Sequence, residues 1–202
     1  MQVDILSVVL AGFALVTAVV FHEVAHGYVA YRCGDPTAFY RGRLTLNPLK
    51  HVDPVGTILL PLVLILAHSP FLFGYAKPVP VNFAGLRNPR RDMMLVAAAG
   101  PFTNFALCLL FVLALVLLHP GDGSWLLAGL QSCILTNLML GLFNLIPIPP
   151  LDGSNILAGM LPAKIARPYL QLGRYGLISL IVAALLARPL LNRMLDAILS
   201  LF

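Results

Sequence analysis

An apolar segment near the start of the chain carries two histidines and a glutamate. The motif HEVAH places His22, Glu23 and His26 within the stretch FHEVAHGY, and Glu23 is the only glutamate in the sequence. Residues four apart lie on one face of a helix, so His22 and His26 can present their imidazoles to one metal ion. Glu23, beside the first histidine, can hold a water molecule and take its proton. The pattern therefore predicts a hydrolytic metal centre.

A catalytic zinc ion usually has three protein ligands and an open position for water, whose pKa it lowers from about 15.7 toward 7. Another part of the chain must supply the third ligand. Asp152 in NLIPIPPLDGSN is the best placed carboxylate, because broken backbone at membrane depth is tolerated where it lines a cavity. An ordinary turn at a helix end is the alternative interpretation of this LDG sequence. The other candidates are His51, Asp53, His68, Asp92, His119 and Asp122.

The chain that must position these residues is strongly apolar. Of its 202 residues, 59% are hydrophobic and only 10% are charged, with a mean hydropathy of +0.91. Soluble domains carry about 25% charged residues, so this composition predicts an integral membrane protein. The net charge of +5 does not indicate a nucleic-acid partner. The basic residues flank apolar segments, where they set topology and meet anionic lipid headgroups.

The apolar stretches predict an all-α membrane protein with about four spanning helices. The predicted spans are 5–31, 93–118, 125–148 and 169–187. The stretch 55–73 contains two prolines and is predicted to be re-entrant, and the tail after Pro189 is predicted to be an interfacial helix. Alternation over 41–48 and 75–82 predicts short membrane-associated β-strands. No loop could hold a separate domain, so 1–202 is interpreted as one polytopic domain, with a catalytic core over about 5–160 and accessory helices over about 165–202.

Two independent features predict the same topology. The loops 32–54 and 74–92 each carry four basic residues, whereas HPGDGS has no Lys or Arg, which places both basic loops in the cytoplasm if 55–73 is re-entrant. Asp152 can meet HEVAH only if the spans 5–31 and 125–148 run in the same direction. One intervening span allows this, and two would not. The site is then predicted to open toward the cytoplasm.

HEVAH, AAAGPFTN at 97–104 and NLIPIPPLDG at 144–153 together resemble the site-2 protease family (M50) of intramembrane zinc metalloproteases. The resemblance covers about residues 15–160 and is to the compact prokaryotic branch, without a PDZ or CBS domain. It implies that His22, His26 and Asp152 bind one zinc ion and that Glu23 is the general base. It also implies that Asn104 and Asn144 help to position the substrate, a transmembrane segment of another protein, and that the chain resides in a prokaryotic cell membrane.

Other interpretations remain open at this point. Ala97 to Gly100 can simply offer a smooth surface for helix packing, and Asn144 can cap carbonyls freed by the prolines. A membrane zinc transporter or a non-catalytic scaffold could retain the same residues. A transporter, however, would show several polar stations along a path, and Glu23 has no role in simple ion passage. The sequence predicts neither a particular substrate nor an oligomeric state.

Overall fold

The computed structural model describes residues 5–67, 74–176 and 178–180, together with residues 185, 189 and 193. Single helical turns of 3₁₀ type lie at Pro48–Lys50, Phe83–Gly85 and Leu172–Tyr175, and a π-helical turn lies at Pro54–Leu59. Within the described residues the α-helices are α1 (Ile5–Arg32), α2 (Thr37–Tyr40), α3 (Leu60–Leu66), α4 (Pro89–Leu118), α5 (Trp125–Asn144), α6 (Asp152–Met160) and α7 (Ala163–Gln171).

Helices α1, α4 and α5 pack against one another, and α6 packs against α4. The three long helices have 28, 30 and 20 residues and are apolar enough to cross a membrane by length and composition. At a rise of about 1.5 Å per residue, even the shortest reaches about 30 Å, the thickness of a bilayer core. Exposed apolar side chains cover the outer surfaces of α1 and α4, among them Val9, Phe13, Leu109, Leu113 and Leu117. This chain is an integral membrane protein.

One face of α1 carries a stripe of buried residues at intervals of four. Ala14 and Ala18 precede the two histidines of the motif along this face, and Ala30 follows them. All five residues are buried. Small side chains let membrane helices approach closely, so α4 and α5 can pack directly against this face. The same periodicity therefore brings both imidazoles into the centre of the three-helix core.

Helices α4 and α5 differ from the predicted spans at their ends. Helix α4 begins at Pro89 rather than at Met93, and α5 ends at Asn144, four residues before the predicted end. The prolines of IPIPP that follow Asn144 cannot donate backbone hydrogen bonds, which ends the helix. Asp152 is consequently the first residue of a separate helix, α6, and does not simply follow the end of α5.

The chain enters and leaves the predicted re-entrant segment at the same place. The π-helical turn and α3 have six and seven residues, which together extend only about 20 Å. The Tyr75 N–H donates to Gly56 O at 3.0 Å, and the Thr57 hydroxyl donates to Tyr75 O at 2.9 Å. The chain is therefore back at the start of the segment by Tyr75. Residues 68–73 lie outside the described part of the chain.

The β-strands predicted at 41–48 and 75–82 are not formed. Residues 74–82 have no regular secondary structure, and their backbone donors do not bond 41–48: Lys77 N–H donates to His51 O at 2.9 Å, and Asn82 N–H to the Asp35 carboxylate at 2.6 Å. Pro78 and Pro80 have no N–H to complete a ladder. Part of the predicted fourth span (169–187) and nearly all of the C-terminal interfacial helix lie outside the described residues, whereas Tyr169 lies in the short helix α7.

Candidate metal centre

The two histidines of HEVAH lie side by side in the core. His22 is 5% exposed and His26 is 8% exposed. Their ring centroids are 4.6 Å apart, with the rings nearly perpendicular. The one-turn spacing on α1 thus turns both Nε2 atoms toward the same space.

The carboxylate of Asp152 closes this space from α6. Its Oδ2 lies 3.1 Å from His22 Nε2 and 3.3 Å from His26 Nε2. Gly153 allows the approach, because a Cβ at this residue would lie 2.1 Å from Leu145 O. The glycine of the LDG sequence therefore lets the first turn of α6 pack against the backbone that leaves α5.

The remaining contacts of the imidazoles determine which nitrogen carries a hydrogen. His26 Nδ1 lies 2.7 Å from Val96 O, and His22 Nδ1 lies 2.6 Å from Asn104 Oδ1. Both oxygens can only accept, so each Nδ1 donates and each neutral ring keeps a lone pair on Nε2. Such contacts fix the tautomer of metal-binding histidines.

Three acceptor atoms consequently converge without a hydrogen between them. Asp152 Oδ2 is buried and has no hydrogen-bond partner among the described residues, and one ligand atom from each of the three residues lies within 4.8 Å of the others. A proton shared with one histidine would satisfy one pair, whereas a single divalent cation would satisfy all three atoms. Two imidazoles and a carboxylate are ligands that suit zinc, so these residues fit the ion.

Gly100 on α4 forms the wall behind the two imidazoles. A Cβ at this residue would lie 2.4 Å from His26 Nε2 and 2.6 Å from His22 Nε2. Real Cβ atoms do not approach other heavy atoms this closely, so a larger residue must displace the imidazoles. Gly100, the last residue of AAAG, thus contributes more than smooth packing, because its lack of a side chain leaves room for the two imidazoles.

Gly100→Ala is expected to lower zinc affinity at least about tenfold, since displaced ligands no longer converge. Zinc content after equilibration with a competing chelator measures this. Gly129→Ala on α5 is the matched control, because its Cβ would meet only Leu10 Cδ2, at 3.4 Å. Equal zinc retention by both variants would contradict the role assigned to Gly100.

Glu23 lies beside the histidines and contacts the irregular segment 74–82. Its Oε2 accepts a hydrogen bond from Val79 N–H at 2.6 Å. The Arg43 guanidinium holds the same segment by donating to Lys77 O at 2.6 Å and to Pro78 O at 3.3 Å. The Val79 N–H therefore orients the Glu23 carboxylate. Arg43 in turn holds the backbone just before Val79 in place.

The two predicted asparagines occupy different surroundings. Asn104 is fully buried and contacts His22, Ala18 and Asn137. Asn144 is half-buried, and its side-chain amide donates to Leu140 O of its own helix at 3.0 Å. Whether either residue positions a substrate stays a prediction.

Most alternative third ligands have other contacts within the described residues. His51 Nε2 faces Thr45 O, Asp53 caps the turn at Pro54–Leu59, and Asp92 accepts from Asn88 N–H. His119 and Asp122 are exposed in the loop before α5, and His68 lies outside the described residues.

Asn137 was not among the site residues predicted from the sequence. It is fully buried against Asn104. The available signal in the sequence was a lone amide within the apolar run LTNLML.

The fold and the site together define a class. A cluster of two histidines and a carboxylate that could hold a metal ion, with a glutamate at its side, lies among helices that are long and apolar enough to cross a membrane. This arrangement is that of a membrane-embedded metal-dependent hydrolase.

Comparison with known proteins agrees with this class. The model of peptidase family M50 matches residues 123–187. YwhC of Bacillus subtilis (strain 168) is 41% identical over 201 residues, covering 93% of this chain and 88% of that protein. Rip2 of Mycobacterium tuberculosis (strain ATCC 25618 / H37Rv) is 33% identical over 184 residues, covering 91% and 68%. Both carry the description "putative zinc metalloprotease". No solved structure matches the chain.

The similarities to YwhC and Rip2 extend over nearly the whole chain. The chain belongs to peptidase family M50 and is a zinc metalloprotease. The resemblance based on HEVAH, AAAGPFTN and NLIPIPPLDG is thereby confirmed, as is zinc as the cofactor.

Proposed function

We propose that this protein hydrolyses peptide bonds within or near transmembrane segments of other membrane proteins. In this proposal His22, His26 and Asp152 hold one zinc ion, and Glu23 is the general base. The observation that carries the proposal is the convergence of two imidazole Nε2 atoms on a buried carboxylate oxygen that has no hydrogen-bond partner in the described part of the chain. The location of this cluster within the helical core supports a substrate that is itself in the membrane.

Zinc, when bound, supplies Lewis-acid polarisation of the scissile carbonyl and a water of lowered pKa. Glu23 takes a proton from the attacking water as the new C–O bond forms. It then gives this proton to the amine nitrogen as the C–N bond breaks, so that water and peptide become a carboxylic acid and an amine. The contact from Val79 N–H orients the Glu23 carboxylate for this exchange.

An apolar cavity of about 420 Å³ lies beside the part of α1 that precedes the HEVAH motif. It lies between α1 and the loops around residues 48–57 and 74–76, and its α1 wall is formed by Leu15, Val16, Val19 and Val20. Residues 16, 19, 20 and 23 share one helical face, so the cavity lies on the side of α1 that carries Glu23. We propose that an unwound, apolar substrate segment occupies this cavity.

The cytoplasmic orientation of the site also remains a proposal, supported by the return of the chain from α3 to Gly56 and by the basic loops. Single cysteines at Lys50, Arg91 or Asp122, in a chain lacking the natural cysteines, test it with an impermeant maleimide on intact cells. Asp122→Cys is expected to react from outside, and Lys50→Cys and Arg91→Cys only after permeabilisation. Reaction of Lys50→Cys and Arg91→Cys from opposite sides would show that 55–73 spans the bilayer.

The function itself can be tested before any substrate is identified. New peptide termini are compared by mass spectrometry in membranes of host cells that carry the wild-type chain or Glu23→Gln. Termini inside or next to transmembrane segments are expected only with the wild type. Identical termini in both, with wild-type protein present and zinc-loaded, would argue against proteolysis of membrane segments.

A further inference from the structure

A chain of buried amides connects α5 to the imidazole of His22. Asn137 on α5 and Asn104 on α4 are both 0% exposed. Asn137 Nδ2 donates to Cys133 O at 2.9 Å, and Asn104 Nδ2 lies 3.0 Å from Asn137 Oδ1. Asn104 Oδ1 in turn lies 2.6 Å from His22 Nδ1. Three helices thus meet in one line of polar contacts inside the helical core.

The direction of every hydrogen bond in this line follows from its first member. A backbone carbonyl can only accept, so the amide nitrogen of Asn137 must face Cys133 O and its oxygen must face Asn104. Asn104 must then donate with its own nitrogen, which also donates to Ala18 O at 3.2 Å, and both of its N–H groups are used. Its oxygen is left to accept from His22 Nδ1. His22 Nε2 therefore keeps the lone pair that faces Asp152.

We propose that Asn137 is a positioning residue for the metal centre: it holds the Asn104 amide in the orientation that fixes the His22 tautomer. Without its oxygen, one N–H of Asn104 is buried without an acceptor, which costs free energy in an apolar core. Rotating the Asn104 amide by half a turn, which exchanges its oxygen and nitrogen, then costs less free energy than in the wild type. In the turned state the nitrogen faces His22 Nδ1, the imidazole hydrogen moves to Nε2, and that atom cannot bind a cation. His26 is independent of this line because its Nδ1 bonds Val96 O directly.

Asn137→Leu is the direct test, and it rests on the zinc site of the proposed function. Because partners behind metal-binding histidines typically contribute 10- to 100-fold to metal affinity, a loss of about tenfold or more in zinc affinity is expected. Affinity is measured on the full chain in detergent by competition with chromophoric chelators. Ser132→Ala, whose hydroxyl donates within its own helix to Ala128 O at 2.8 Å, is the matched control on α5 and should keep wild-type affinity.

A double substitution separates this role from general damage to the fold. If Asn137 acts through Asn104, Asn104→Leu with Asn137→Leu should bind zinc no more weakly than Asn104→Leu alone. Multiplied losses in the double variant, or wild-type affinity in Asn137→Leu, would overturn the inference. Absence of zinc from the wild-type protein would instead refute the metal site on which it rests.

Discussion

Glu23→Gln is expected to abolish cleavage while leaving zinc bound. The glutamine is nearly isosteric and can still accept from Val79 N–H, but it cannot take a proton from water. General acid–base catalysis contributes about 10²- to 10⁴-fold, and the loss of rate should be at least of this order. Zinc content stays unchanged, because the proposed ligands are His22, His26 and Asp152. The measurement pairs zinc analysis with cleavage of a substrate identified from the new membrane-protein termini.

The same variant distinguishes a protease from the other interpretations. A zinc transporter or a scaffold does not need a proton acceptor at residue 23 and would keep most of its activity in Glu23→Gln. Asp122→Asn, which changes an exposed carboxylate in the loop before α5, serves as the control and should cleave at the wild-type rate. A Glu23→Gln protein that still cleaved at that rate would disprove the mechanism.

Asp152→Ala is expected to remove zinc from the purified protein. Loss of a direct ligand should exceed the roughly 10- to 100-fold effect of residues that only support a ligand. The two histidines would keep their Nδ1 contacts with Asn104 and Val96, so α1 should stay packed against α4. Zinc per molecule in wild type and variant, at matched purity and with Asp122→Ala as the control, measures the effect.

Full zinc retention in Asp152→Ala would move the third ligand to another residue. His51 would require a change of its contact with Thr45 O, and Asp53 would have to leave its N-capping position. His68, outside the described residues, would then become the first residue to replace. Zinc retention in Asp152→Ala would therefore lead directly to substitution of His68, and then of His51 and Asp53.

The strand predictions failed for a physical reason. Alternation of polar and apolar residues over 75–82 is typical of any extended chain with one buried side, whether or not it pairs with another strand. Here the N–H groups of Val79 and Asn82 bond the carboxylates of Glu23 and Asp35, which lie 56 and 47 residues away in the chain. No local pattern distinguishes such a segment from a strand.

The sequence by itself determined the chemistry and the class of the fold. A helix has about 3.6 residues per turn, so HEVAH must place two imidazoles on one face, and the composition must place that helix in a membrane. The prolines after Asn144 end α5 for equally local reasons. Glu23 beside the first histidine completes a hydrolytic pattern that needs no distant residue to be recognised.

Only the tertiary structure decided which residues complete the site. Asp152 is one of several carboxylates in the sequence, and it reaches the histidines because Gly153 lets α6 pack closely against the end of α5. Asn104 and Asn137 are ordinary amides in apolar helices until packing joins them to His22. These contacts link residues far apart in the chain, and their geometry depends on how three helices pack, which local propensity does not encode.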